Sequence, residues 1–136
     1  MRLWPLAILD QLPRQQLLGQ HRECCALRGK GWGRKHSTVD YVFTYSLGHL
    51  YEYHLRVMSE MVRRGYNVDV QWYNRLYRGD KMPKGLLQTI GIYVAREGDR
   101  IYREHNKSYI EECIANLAAK GVKIDRERAL RRMSAA

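Results

Sequence analysis

Residues 14–36 read RQQLLGQHRECCALRGKGWGRKH, an amphipathic stretch with one acidic residue that runs into a glycine-rich basic loop. At 3.6 residues per turn, Leu17, Leu18, His21, Cys24 and Cys25 fall on one side of a helix. Gln16, Gly19, Gln20 and Glu23 fall on the other, with Arg22 near the border. Glu23 is therefore expected to point away from the core, and Gly19, one turn earlier, leaves space above the helix. A lone glutamate on a polar face is ordinarily just solvated. This one has Arg22, Arg28, Lys30, Arg34 and Lys35 for company, which makes it a candidate for chemistry.

Working outward, Pro13 suits a first helical turn and Gly29 lies just past the last, so the first helix is read as Pro13 to Arg28. The loop Gly29 to Lys35 carries Trp32 among glycines. That ring can stack on or wedge between bases, or it can close over the core; both readings stay open. Ser37 or Thr38, helped by Asp40, is expected to cap a long second helix reaching Arg64. Its apolar positions are Val39, Phe43, Leu47, Leu50, Val57, Met58 and Met61. Gly48 is a weak point costing about 1 kcal/mol relative to alanine, and Gly65 is the stop.

Tyr66 to Pro83 is irregular, with Trp72, Tyr73 and Tyr77 alternating with Arg75, Arg78, Lys81 and Lys84. A third helix is expected from Lys84 to Glu97, burying Leu87, Ile90, Ile92 and Val94. Ser108-x-x-Glu111 reads as a capping box and Gly121 as its stop, giving a helix from Tyr109 to Lys120. Asp125 then caps a final basic segment, RERALRRM. No period-2 strand pattern and no internal repeat is evident. The expectation is a compact all-α single domain over residues 1–136, a bundle of four to five helices around a long central one.

The chain holds 24 Lys+Arg against 14 Asp+Glu, a net charge of +10. A polyanionic partner follows, nucleic acid before membrane, because no amphipathic anchor or lipidation signal is present. The opening MRLWPLAILDQL is broken by Pro5 and Asp10 and does not read as a signal peptide. Cys24, Cys25 and Cys113 form no disulfide framework, so a reducing, cytoplasmic and nucleoid-associated location is expected. Cys24, Cys25, His21 and His36 lack metal-ligand spacing, and no metal or cofactor is expected.

Several motifs, taken in order, carry a resemblance: Gln15-x-Leu17 and Arg22-Glu23, then Arg34-Lys35-His36, then Arg64-Gly65-Tyr66-Asn67. Tyr77-Arg78-Gly79-Asp80 with Pro83, and Ala95-Arg96 with Arg100-Ile101, complete the set. On these residues the chain resembles the phage-type pyrimidine-dimer DNA glycosylases, also called endonuclease V of the phage type. The MRLW opening and the GWGRKH loop look like the shorter bacterial members. Ala26 stands where the family has an arginine, with Arg28 a substitute, and the family's aromatic C-terminal tail is absent.

The resemblance implies glycosylase and apurinic/apyrimidinic lyase chemistry on lesion-bearing duplex DNA, pyrimidine dimers first, by a monomer that needs no metal. The family works through an imine formed by its N-terminal amine, with Glu23 as the matching catalytic carboxylate. Arg2 follows Met1, so the methionine is expected to stay; Met1 then supplies the amine, with Lys30 or Lys35, or loss of the lyase function, as alternatives. Arg2, Arg22, Trp32, Arg34, Lys35, His36, Arg96 and Arg100 would contact DNA. A non-catalytic DNA- or RNA-binding protein on the same fold is the competing reading, and a structural role in a larger assembly a third.

Overall fold

The computed structural model describes residues 2–35, 37–80 and 100–134. Its elements are a 3₁₀ turn (Leu6–Gln11), α1 (Arg14–Arg28), a second 3₁₀ turn (Asp40–Thr44), α2 (Leu47–Arg63), a third (Val70–Tyr73), α3 (Lys107–Ala119) and α4 (Arg126–Ser134). All regular elements among the described residues are helical, so the expected all-α class holds. No helix among them is long and apolar enough to cross a membrane. The expected helix Lys84–Glu97, with Arg96, lies outside the described residues, as do Met1 and His36.

α1 packs along α2. Leu17, Cys24 and Leu27 of α1 meet Leu50, Tyr53, Val57 and Met61 of α2, and the first 3₁₀ turn adds Ala7, Ile8 and Leu9. Ile110, Cys113 and Leu117 bring one face of α3 into the same core. Each such aliphatic side chain contributes about 1.5–3 kcal/mol when fully buried. Cys24 and Cys113 are buried free thiols.

Two boundaries differ from the sequence reading. The second helix begins at Leu47, not at Ser37 or Thr38. The chain before it turns through Asp40–Thr44 and is extended at Tyr45 and Ser46. That break lets Val39 and Val42 enter the core while Tyr45 packs edge-on to Tyr102 and bonds Glu104. Gly48 thus sits in a first turn, where it weakens nothing. Helix α3 starts two residues early: Asn106, not Ser108, caps it, accepting from the Tyr109 amide at 2.9 Å. Glu111, freed from a capping box, pairs with Arg126.

Asp125 caps α4 through the Arg128 amide, and Arg128 and Arg132 both reach back to Asp10 at 2.6 and 2.8 Å. Gln11 and Asp125 exchange hydrogen bonds beside them. The last helix is thereby fastened to the first 3₁₀ turn.

Arginines hold the ends of both long helices. Arg64 donates to the carbonyls of Leu9, Asp10 and Leu12. Arg28 is only 3% exposed, yet no carboxylate meets it among the described residues. Its guanidinium donates to the carbonyls of Trp72, Asn74 and Tyr77 and lies over the Tyr51 and Trp72 rings. It also donates to His54 Nδ1 at 2.9 Å. Arginine has no acceptor, so this contact leaves the His54 proton on Nε2, which donates to His21 Nδ1 at 2.8 Å.

The polar side of α1 is not left to water either. Gln20, on the polar side of the wheel, is only 1% exposed because residues 2–4 cross over it. Its Oε1 accepts from the Trp4 amide at 2.6 Å and its Nε2 donates to the Arg2 carbonyl at 3.2 Å. The Tyr53 hydroxyl lies 2.6 Å from Trp4 O and 2.8 Å from Gln20 Oε1. The Tyr109 hydroxyl donates to Leu3 O. Side chains from α1, α2 and α3 thus grip three consecutive backbone units.

Arg28→Lys should lower stability by at least about 2 kcal/mol, since an ammonium cannot span three carbonyls and an imidazole. The urea midpoint should fall with the slope unchanged; an unshifted midpoint would contradict this account of the cage. Burial, then the Arg28 charge, pushes His54 down to about 2, and burial pushes His105 down to about 3. Unfolded, both titrate near ~6.5, so below that pH the unfolded chain binds more protons. Their contribution to stability is complete above pH ~6.5 and is lost as the pH falls toward ~3. Melting followed from about pH 7 to about pH 4 should decline, and His54→Gln should flatten part of the decline.

Candidate functional site

A cleft of about 350 Å³ opens on the side of α1 that carries Glu23. Gln16, Gly19, Gln20 and Glu23 form its floor, one turn apart along the helix as the wheel requires. Arg2 and Trp4 form one wall, held there by Gln20. Thr38, Asn116 of α3 and Lys120 at its C-cap close the rest.

Glu23 Oε2 is shielded from solvent and has no hydrogen-bond partner among the described residues. Asn116 Oδ1, in the same cleft, is in the same condition. An unsatisfied buried polar atom costs about 1–3 kcal/mol, more when charged. Two acceptors left bare in one cavity are the mark of a site that binds donors.

The cations expected around Glu23 divide. Arg22 is exposed, and its Nη2 would stand 3.7 Å from a side chain added at Gly19, so the space above this glycine is used by the arginine head. Lys30, Arg34 and Lys35 are exposed on the loop beyond α1. Arg28 is turned into the protein and serves the cage instead. Arg2 reaches the cleft wall, but its guanidinium lies 3.4 Å from Glu112 Oε1 and 3.6 Å from Cys113 Sγ. Arg100 is exposed, with its Nη1 toward the Arg103 carbonyl.

Trp32 is half-buried and packs edge-on to Phe43, with ring centroids 5.0 Å apart. The loop that carries it needs its glycines: a Cβ on Gly31 would lie 2.7 Å from the Ala26 carbonyl oxygen, which the Gly31 amide bonds. Arg78 donates to the Arg28 carbonyl at the end of α1.

Gln20, Asn116 and Lys120 escaped the sequence reading. On a wheel Gln20 is simply polar, and nothing local tells that a segment crosses it. Asn116 and Lys120 reach the cleft through the fold alone.

The one group among the described residues with metal-ligand chemistry is His21, Cys25 and His54, whose donor atoms lie within 4.8 Å of one another. It does not fit an ion as it stands. A ligating histidine donates its second ring nitrogen to an acceptor, whereas His54 Nδ1 faces the Arg28 guanidinium, a donor. Burial also pushes the Cys25 thiol up to about 11, away from the thiolate a metal needs. The group is a hydrogen-bonded chain from Arg28 through His54 to His21.

The comparisons with known proteins can be set against this geometry. No curated protein and no solved structure matches the chain. A family model described as pyrimidine dimer DNA glycosylase matches residues 1–74, a span that holds α1, α2, Arg2, Glu23 and Thr38 but neither Asn116 nor Lys120. That is more than half of the 136 residues, and the chain belongs to the pyrimidine dimer DNA glycosylase family.

Proposed function

We propose that this protein excises damaged bases from duplex DNA and cleaves the resulting apurinic/apyrimidinic site, with Glu23 as the catalytic carboxylate and the α-amine of Met1 as the nucleophile. The observation that carries the reading is Glu23 Oε2, shielded and unpartnered in a cleft whose wall includes Arg2. Met1 precedes Arg2, a residue of that wall, in the sequence.

An amine nucleophile must be unprotonated. An α-amine has a pKa of ~8 against ~10.4 for lysine, so near neutral pH it offers far more free base, and neighbouring cations lower it further. Its lone pair forms the N–C1′ bond as the glycosidic bond breaks and the base leaves with that electron pair, taking up a proton. The C1′–O4′ bond then opens, giving a protonated imine and an O4′ hydroxyl. Loss of a C2′ proton expels the 3′ phosphate. Glu23 stabilises positive charge at C1′ and moves these protons.

The exposed Arg22, Arg34 and Lys35, together with His36, Arg96 and Arg100, are assigned to phosphate contacts, and Trp32 to the wedge that separates bases, which requires it to leave Phe43. A binder without chemistry would gain nothing from a bare carboxylate facing phosphates, which disfavours the competing reading.

Glu23→Gln should keep folding and duplex binding, because the side chain takes no part in the core. Strand cleavage should fall by ~10²–10⁴-fold. A mutant that cleaves at the normal rate removes Glu23 from the chemistry. Borohydride added during turnover should reduce the imine to a stable protein–DNA crosslink. Peptide mapping should find it on the N-terminal peptide, and an uncleaved N-terminal tag should suppress it. A crosslink at Lys30 or Lys35 would reassign the amine, and no crosslink on any lesion would favour the binding protein.

A further inference from the structure

Helix α3 lies wholly outside the matched residues 1–74, yet it is built against the cleft. Tyr109, the adjacent pair Glu112 and Cys113, and Asn116 recur about one turn apart on one side of α3, and Lys120 at its C-cap continues the line. The contacts of that stripe are with residues 2–4. Tyr109 donates to Leu3 O at 2.9 Å, Glu112 and Cys113 receive the Arg2 guanidinium, and Lys120 Nζ lies 5.8 Å from the Trp4 ring centroid. Asn116, in the middle of the stripe, is the member whose shielded Oδ1 has no partner among the described residues. It lines the same cleft as Glu23, whose own Oε2 is equally without a partner among the described residues.

We propose that Asn116 is a substrate-contacting residue of the glycosylase reaction, its Oδ1 and Glu23 Oε2 forming a pair of acceptors for the donors of the opened sugar. This rests on the reading of the previous subsection. That chemistry creates two donors where none existed in the closed deoxyribose: the N–H of the protonated imine and the O4′ hydroxyl. A pair of acceptors is complementary to this state and not to the intact nucleotide, so the contact lowers the barrier instead of tightening substrate binding. Asn116 is the neutral member, which supplies the second acceptor without placing a second negative charge beside Glu23.

The test uses the full-length protein on duplexes carrying a pyrimidine dimer or an abasic site, comparing wild type, Asn116→Leu and Asn116→Asp. For the leucine variant kcat should fall about ten- to hundredfold, the range for a hydrogen bond to a charged group. Its KM and the salt dependence of its binding to undamaged duplex should stay as in the wild type, because no phosphate contact is lost. The aspartate variant keeps an acceptor and should retain more of kcat than leucine does. Its acid limb should move to higher pH, as two carboxylates in one site resist joint ionisation.

A leucine variant that turns over like wild type sinks the proposal while the glycosylase reading stands. So does a loss of kcat in step with a lower melting temperature that aspartate fails to rescue. If the leucine variant does not fold, the aspartate pH profile decides, and an unmoved acid limb counts against Asn116. A wild-type protein inert on both duplexes overturns the earlier reading, and this one with it.

Discussion

Burying the Arg28 guanidinium with no carboxylate against it among the described residues is the constraint on which the rest of the architecture depends. A charge removed from water must be met by hydrogen bonds or it unfolds the structure around it. Here three loop carbonyls, two aromatic faces and one imidazole meet it. Those groups come from α2 and from the segment between Asp69 and Tyr77, which has little core of its own. The arginine therefore organises an irregular stretch that hydrophobic burial alone would not order. Through His54 it also sets the proton position on His21, so the back of α1 is locked while its front is left to the cleft.

The same helix shows what sequence reasoning can and cannot reach. Its limits, Pro13 and Gly29, and the placement of Glu23 opposite the apolar stripe were legible because they depend on local geometry alone. The burial of Gln20 was not legible because a wheel knows two sides, core and solvent, while the protein has a third condition, a polar face covered by another segment. The break at Tyr45 was hidden because Val39, Phe43 and Leu47 keep helical spacing straight through it. What interrupts the helix is a set of ring contacts with Tyr102 and Glu104, some sixty residues on. Asn106 was passed over because Ser108 offers the same chemistry two residues later, and propensity does not choose between them.

Cations divide in a way charge counting could not foresee. Arg28, Arg64 and Arg78 spend their donors on backbone carbonyls inside the fold. Arg128 and Arg132 converge on Asp10. Arg22, Lys30, Arg34 and Lys35 remain exposed along the end of α1 and the loop beyond it. A net charge of +10 therefore overstates the positive surface available to a polyanion.

The grip of Tyr109 on the Leu3 carbonyl joins residues 106 apart in the chain. Ribosomes deliver about 5–20 residues per second, N-terminus first, so the opening residues wait several seconds for α3 to appear. Until it emerges, the cleft lacks Asn116 and Lys120, and residues 2–4 have only Gln20 and Tyr53 to hold them. The segment made first is thus the one completed last, and a truncated nascent chain released before α3 carries Glu23 without the enclosure around it.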